Sequence, residues 1–310
     1  MSRVLVTPRS LTRSGHPALT RLEEAGFELV FSTPGVQPDE EELLRLVPGC
    51  TGYLAGVEPI SARVIERAED LRVIARNGVG VDNIDLDAAQ RAQVEIVRAA
   101  GANARGVAEL TIALLFALVR AVAFSDAHLK HMSWQRRRGI ELYERTLGIV
   151  GCGNIGRQVA ELALALGMKV IAHDPCTNES FSRHLAFRYT DLQDVFANSD
   201  VISFHCPPAA DGRALVTRQT LATMRQGVYL INTARAGLLD EADLLQALDD
   251  GRVAGVAIDV FDKEPPGRNP LVEHERVIAT PHVGGYTEES VARAVDTAVQ
   301  GILDHLGFTP

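Results

Sequence analysis

The chain has 310 residues, enough for two domains with cores of their own. Its 31 basic and 40 acidic side chains give a formal net charge of −9, which argues against nucleic acid or an anionic membrane surface as a partner. The amino end reads as the start of a strand with no targeting pattern, and the most apolar stretch, 110–119, is too short to span a bilayer. Four cysteines (Cys50, Cys152, Cys176, Cys206) have no metal-ligand spacing, so no metal, reduced thiols and a cytoplasmic location are expected.

From residue 1 to about 98, short apolar runs alternate with helical periodicity. Strands are predicted at 4–6, 27–31, 52–55, 73–76 and 95–97, and helices at 17–25, 39–46, 61–68 and 85–92. Such alternation builds a parallel sheet with crossover helices, whose ligands bind beyond the carboxyl ends of the strands. The fourth strand runs into Arg76-Asn77-Gly78-Val79-Gly80-Val81-Asp82-Asn83. Its two glycines can present consecutive backbone N–H groups to an anion such as a carboxylate, although an ordinary glycine turn reads the same way.

A helix then continues to about Arg120, apolar around most of its circumference, as suits either a central helix or one pressed on another subunit. The polar arm 133–142 carries the one tryptophan, Trp134, and the basic run Arg136-Arg137-Arg138. It reads as a solvated face or as an arm packed on a partner.

Residues 146–174 give the strongest signal. An apolar strand at 147–150 meets Gly151-Cys152-Gly153-Asn154-Ile155-Gly156, a helix runs to Leu166, Gly167 stops it, and a second strand at 169–173 ends on Asp174. Strand, glycine turn, helix, strand and acid, in these lengths, form a dinucleotide-binding unit. Gly151 permits the tight turn, Gly153 lets the backbone approach a pyrophosphate, and Gly156 lets the helix lie on the strand. The helix N-terminus supplies free N–H groups and partial positive charge to the phosphates. Asp174 can accept from the ribose hydroxyls and repels a 2′-phosphate; Pro175-Cys176-Thr177-Asn178 has no cation to welcome one, so NAD is expected over NADP.

The rhythm continues with strands at 201–204, 228–232, 253–259 and 277–279, a helix at 241–248 between Asp240 and Gly251, and an amphipathic helix over 288–305. Three of these strand ends carry unexplained polar residues: Arg235 after the second, Asp259 and Glu264 after the third, and His282 after the fourth. In an open parallel sheet they share one edge with the Gly151 turn, where a nicotinamide would lie. The guanidinium fits a substrate carboxylate, the imidazole can exchange a hydroxyl proton, and a carboxylate on its other nitrogen fixes the tautomer. Singly, each reads as a surface or loop residue.

Together the segments Asn77–Asp85, Val107–Glu109, Thr146–Gly156, Asn232–Gly237, Asp259–Pro265 and Thr280–Gly285 resemble the D-isomer-specific 2-hydroxyacid dehydrogenase family, in its phosphoglycerate dehydrogenase-like branch. The resemblance implies two doubly wound α/β domains, a Rossmann cofactor domain (100–281) inserted into a flavodoxin-like substrate domain (1–99 and 282–310), with a cleft that closes on substrate. It implies Arg235, Glu264 and His282 as the catalytic set, and Asp259 on the nicotinamide carboxamide. Asp174 is then on the ribose, with Gly151, Gly153, Asn154, Ile155, Gly156, Cys206, Pro207, Thr233, Ala234, His282 and Gly284 also along the NAD. Substrate falls to Asn77, Gly78, Val79, Gly80, Arg235 and His282, the Val79 and Gly80 amides holding its carboxylate. A homodimer through 103–144 is implied as well.

Two departures from the family pattern stand out. Gly106 replaces the serine or threonine frequent before Val107-Ala108-Glu109, and the turn Tyr53–Glu58 has no basic residue where relatives acting on phosphorylated hydroxy acids place one. A phosphate without a cationic partner forfeits a bond worth roughly 1.5–3 kcal/mol, unless Arg76 or Arg136–Arg138 of a neighbouring subunit supplies the charge. The reading is an NAD-dependent oxidoreductase moving a hydride to or from C2 of a small D-2-hydroxy acid or 2-oxo acid. Phosphoglycerate, glyoxylate or hydroxypyruvate, and a sugar acid remain open as substrates. The alternative from another class is an NADH-responsive binding or regulatory protein.

Overall fold

The computed structural model describes residues 2–178, 181, 185–209 and 211–307. The chain divides into two compact units, Met1–Asn103 with Thr287–Pro310, and Ala104–Tyr286. These breaks, compared with the expected 99 and 281, put His282 and Gly284 on the same unit as Asp259.

The first unit is a five-stranded parallel sheet of β1 (Arg3–Val6), β2 (Glu28–Phe31), β3 (Cys50–Ala55), β4 (Val73–Arg76) and β5 (Glu95–Arg98). Its order, β2-β1-β3-β4-β5, is flavodoxin-like. Helices α1 (Arg9–Ser14), α2 (Thr20–Glu24), α3 (Glu40–Leu46), α4 (Ala62–Arg67) and α5 (Leu86–Arg91) make the crossovers. Asp39, Ser61 and Asp85 each accept an N–H from the first turn of α3, α4 and α5, fixing where those helices begin. The expected helix 17–25 is a 3₁₀ turn (Pro17–Leu19) followed by α2, because His16 Nδ1 accepts from Ala18 N–H ahead of it. The chain's last helix, α13 (Glu288–His305), buries Val295, Ala298, Val299 and Ile302 in one core with Val4, Val6, Leu22 and Leu54. Gly301 brings it close: a Cβ there would stand 2.5 Å from Val97 Cγ1.

The second unit opens with α6 (Ala104–Val119) and α7 (Val122–Lys130). Its sheet contains β6 (Thr146–Val150), β7 (Lys169–His173), β8 (Phe187–Tyr189), β9 (Val201–Phe204), β10 (Val228–Asn232), β11 (Val253–Ile258) and β12 (Val277–Ala279). All neighbours are parallel, in the order β8-β7-β6-β9-β10-β11-β12, so the winding reverses between β6 and β9 as in a Rossmann fold. Helices α8 (Asn154–Ala165), α9 (Leu192–Asn198), α10 (Arg218–Thr223), α11 (Glu241–Asp249) and α12 (Pro270–Glu273) complete it. One face of α6 is central to this unit: Ala108, Leu115, Leu118 and Val119 pack with Ile149, Val159, Ala160 and Ile231. By contrast α7 has no buried residue. No single helix among the described residues is long and apolar enough to cross a membrane.

Candidate active site

Strand register builds the candidate site. His173 pairs with Val150, Val150 with Phe204, Phe204 with Asn232, Asn232 with Ile258, and Ile258 with Ala279. One row of partners thus ends every strand from β7 across to β12. The next residue on each forms the rim: Asp174, Gly151, His205, Thr233, Asp259 and Thr280. Segments far apart in sequence are brought to one edge by hydrogen-bonded register alone.

At the switch point the three glycines have different reasons to lack a side chain. Gly151 has φ +92°, and a Cβ would stand 2.6 Å from His205 C. A Cβ on Gly156 would overlap Gly151 O and press on Ile149 Cγ2 at 3.2 Å, so α8 can approach β6 only with glycine there. A Cβ on Gly153 would meet nothing within 4 Å. The open space there borders the first turn of α8, where free N–H groups can receive an anion such as a pyrophosphate. Asp174 accepts from Cys152 N–H and Cys176 N–H, both at 2.7 Å, which pins its carboxylate beside the glycine turn. Turn, helix end and pinned acid fit an NAD.

His205 and Asn232 were not assigned roles from the sequence. The His205 amide donates to Val150 O at 2.7 Å, and burial pushes its imidazole down to about 3, so the ring is neutral. Its Nε2 lies 2.9 Å from Ser203 Oγ, while the buried Nδ1 has no partner among the described residues. Burial also raises the neighbouring Cys206 thiol to about 11, which makes it a poor nucleophile. Buried Asn232 accepts from Ala234 N–H at 3.0 Å and donates to Arg235 O at 2.8 Å, bracing the turn that carries Arg235. Arg235 Nη1 in turn donates to Ala234 O at 2.7 Å. Thr233 meets Thr111 of α6, hydroxyl to hydroxyl, at 3.1 Å.

The buried Asp259 carboxylate accepts from Thr280 Oγ1 at 2.6 Å, Val283 N–H at 2.9 Å and Gly284 N–H at 2.8 Å. It therefore clamps the loop on both sides of His282, whose φ of +53° an unbraced histidine seldom adopts. Held this way, His282 directs Nδ1 to both oxygens of Glu264, each at 2.9 Å, and Glu264 Oε1 also accepts from Phe261 N–H at 3.2 Å. A carboxylate at Nδ1 selects the Nδ1–H tautomer, leaving Nε2 as the proton-accepting nitrogen. Both side chains are about half exposed, at 51% and 41%, as a pair meeting a ligand requires.

On the first unit, the turn after β4 carries Asn77–Gly80. Asn77 N–H donates to Ala55 O at 2.9 Å and Gly78 N–H to Arg76 O at 2.7 Å. The Arg76 guanidinium folds over its own turn, with Nη1 donating to Asn77 O at 2.6 Å; a Cβ on Gly78 would stand 2.7 Å from Nη1.

Residues 112–284 match the family model of the D-isomer specific 2-hydroxyacid dehydrogenase NAD-binding domain. The chain belongs to this family. A hydroxypyruvate reductase of Thermotoga maritima is 38% identical over 276 residues, covering 87% of this chain and 89% of the relative. A D-3-phosphoglycerate dehydrogenase of Methanocaldococcus jannaschii is 41% identical over 74% of this chain, which spans only 45% of that relative's length. Among solved structures, the TT0316 protein of Thermus thermophilus superposes with a TM-score of 0.88 at 35% identity, covering 99% of this chain and 98% of the other. The protein is thus an NAD-dependent D-2-hydroxyacid dehydrogenase by family, with NAD as its cofactor.

Proposed function

We propose that Arg235, Glu264 and His282 form the catalytic set of a reductase or dehydrogenase for small 2-oxo and D-2-hydroxy acids. The observation that carries this reading is the His282–Glu264 pair, Nδ1 at 2.9 Å from both carboxylate oxygens on a loop clamped by Asp259. Bound NAD supplies the hydride acceptor or, when reduced, the donor. In the oxidative direction His282 Nε2 takes the C2 hydroxyl proton as that carbon loses hydride; in reduction it returns the proton to the C2 oxygen. Glu264 holds the tautomer and stabilises the imidazolium once formed. Arg235, on the turn braced by Asn232, pairs with the substrate carboxylate and polarises the neighbouring oxygen. On the first unit the Asn77 and Gly78 amides are spent on carbonyls; those of Val79 and Gly80 follow, and this turn is assigned to a substrate carboxylate.

The substrate class favoured is a short 2-oxo acid without a phosphate, because the turn Tyr53–Glu58 offers no cation. Following NADH absorbance against hydroxypyruvate, glyoxylate, pyruvate and 3-phosphohydroxypyruvate tests this. Turnover of one or more of the unphosphorylated acids is expected, and none with any member sinks the reading.

The active form is proposed to be a homodimer through 103–144. In that stretch Val122, Leu129, Met132 and Trp134 are 53%, 55%, 94% and 81% exposed, more apolar surface than a lone helix and arm usually show to water. Arg137 fixes the arm to its own unit through Glu275 at 2.7 Å and the Phe124 ring at 4.0 Å, leaving Trp134 outward. Sedimentation velocity should find a dimer that Trp134→Glu weakens; a monomeric wild type would rule it out.

A further inference from the structure

We propose that Glu58 determines which substrate tails are accepted: its carboxyl occupies the anion-binding turn at the end of β3 and turns away 2-oxo acids whose tail bears a phosphate or second carboxylate. The inference rests on the oxidoreductase reading above and deepens it.

In the first unit β1, β3 and β4 are parallel neighbours, so the turns after them share one edge. The turn after β4 is the one assigned to the substrate carboxylate, and neighbouring strands lie about 4.8 Å apart. The turn after β3, Gly56-Val57-Glu58, is therefore within reach of a short tail on the same substrate. Asn83 links the two, donating from Nδ2 to Glu58 O at 2.7 Å and Gly56 O at 3.4 Å.

An acid in a strand-end turn would ordinarily point into water. Glu58 instead folds inward and is 1% exposed. Its Oε1 accepts from Gly56 N–H at 3.0 Å, from the Tyr53 hydroxyl at 2.9 Å and from the Thr7 hydroxyl at the end of β1. Burial first, then the Glu58 charge, raise the Tyr53 phenol well above its ordinary range, so it remains a donor. The backbone is shaped around this carboxyl: a Cβ on Gly56 would stand 2.6 Å from Glu58 Oε2.

A backbone amide and two hydroxyls converging at a strand end are the donors an external anion needs. Here a side chain of the same turn consumes all three. A substrate tail carrying negative charge meets no unspent donor from that set, and a like charge stands in the place it would take. A neutral hydroxymethyl or methyl tail meets neither penalty.

The test is kcat/KM with NADH for two pairs, hydroxypyruvate against its 3-phosphate and 2-oxobutyrate against oxaloacetate, in wild type and Glu58→Gln. Wild type should prefer the neutral member of each pair by at least about tenfold, the lower end expected for one missing charge-assisted bond. Glu58→Gln should narrow that preference about tenfold, chiefly through a lower KM for the anionic member. A wild type that handles the anionic members as well as the neutral ones overturns the proposal, and this measurement needs no variant to fold. So does a folded Glu58→Gln protein with an unchanged ratio. Absence of turnover on every acid overturns the oxidoreductase reading as well, which separates the two failures.

Discussion

Replacing His282 with asparagine should lower kcat by a factor of about 10² to 10⁴, the range for loss of a positioned general acid–base, while NADH still binds. Asparagine is the informative replacement because residue 282 has φ +53°, a conformation that asparagine adopts more readily than most residues. The Asp259 clamp acts on Thr280 and on the backbone of Val283 and Gly284, so the loop survives the change. What is lost is Nε2, the one atom of the pair facing away from Glu264. Glu264→Gln should cost less. Its side-chain oxygen can still accept Nδ1–H and keep the tautomer, and only the charge that stabilises the imidazolium disappears. Single-turnover absorbance separates chemistry from binding in both variants. Near-normal turnover in His282→Asn would remove this imidazole from the mechanism, whatever Glu264→Gln does.

The parts of this site legible in the sequence are those in which backbone geometry dictates residue type. Gly151 and Gly156 are glycine because a Cβ would strike His205 and Gly151 O, and such constraints leave a spaced pattern. Arg235, Glu264 and His282 were visible as polar residues just past apolar strands, and parallel topology then put them on one edge. The bracing was not legible. Asn232 and Asp259 look like any polar residue at a strand end, and their partners Arg235, Val283 and Gly284 are set by tertiary register. Glu58 shows the same limit. The sequence reveals that its turn lacks a cation, but not that the acid folds inward onto Thr7 and Tyr53.

For the fold, strands read well because each is a short apolar run bounded by polar turns. The missed elements include α1, which buries only Leu11, and α7, which buries nothing, so neither carries an apolar stripe to detect. Short helices α9, α10 and α12 were also missed, although Asp191, Thr217 and Asn269 cap them. A cap marks where a helix can begin, but so few residues leave too little periodicity to confirm that it does.

Alanine at Gly153 and alanine at Gly156 should both impair NADH binding, for opposite reasons that stability separates. At Gly153 the new methyl meets no protein atom within 4 Å and enters the space left open at the start of α8. The fold should lose about 0.5–1.5 kcal/mol, because Gly153 is the N-cap of α8 and alanine caps less well than glycine, which is a few degrees of Tm for a domain of this size. Affinity should also fall about tenfold to a hundredfold, because the methyl displaces a pyrophosphate from N–H groups whose charge-assisted bonds are worth roughly 1.5–3 kcal/mol. At Gly156 the methyl overlaps Gly151 O, a backbone atom that cannot swing aside, and crowds Ile149 Cγ2 at 3.2 Å. Helix α8 must then lift from β6, an overpacking cost of about 1–3 kcal/mol. That converts to roughly 2–4 °C of Tm per kcal/mol for a domain of this size. Affinity falls with it because the amides at the start of α8 move together. Thermal denaturation with and without NADH distinguishes the two: Gly153→Ala should melt within a few degrees of wild type and gain little from the cofactor, whereas Gly156→Ala should melt earlier still even without it. A Gly153→Ala protein stabilised by NADH as fully as wild type would mean that the phosphates do not cross this turn.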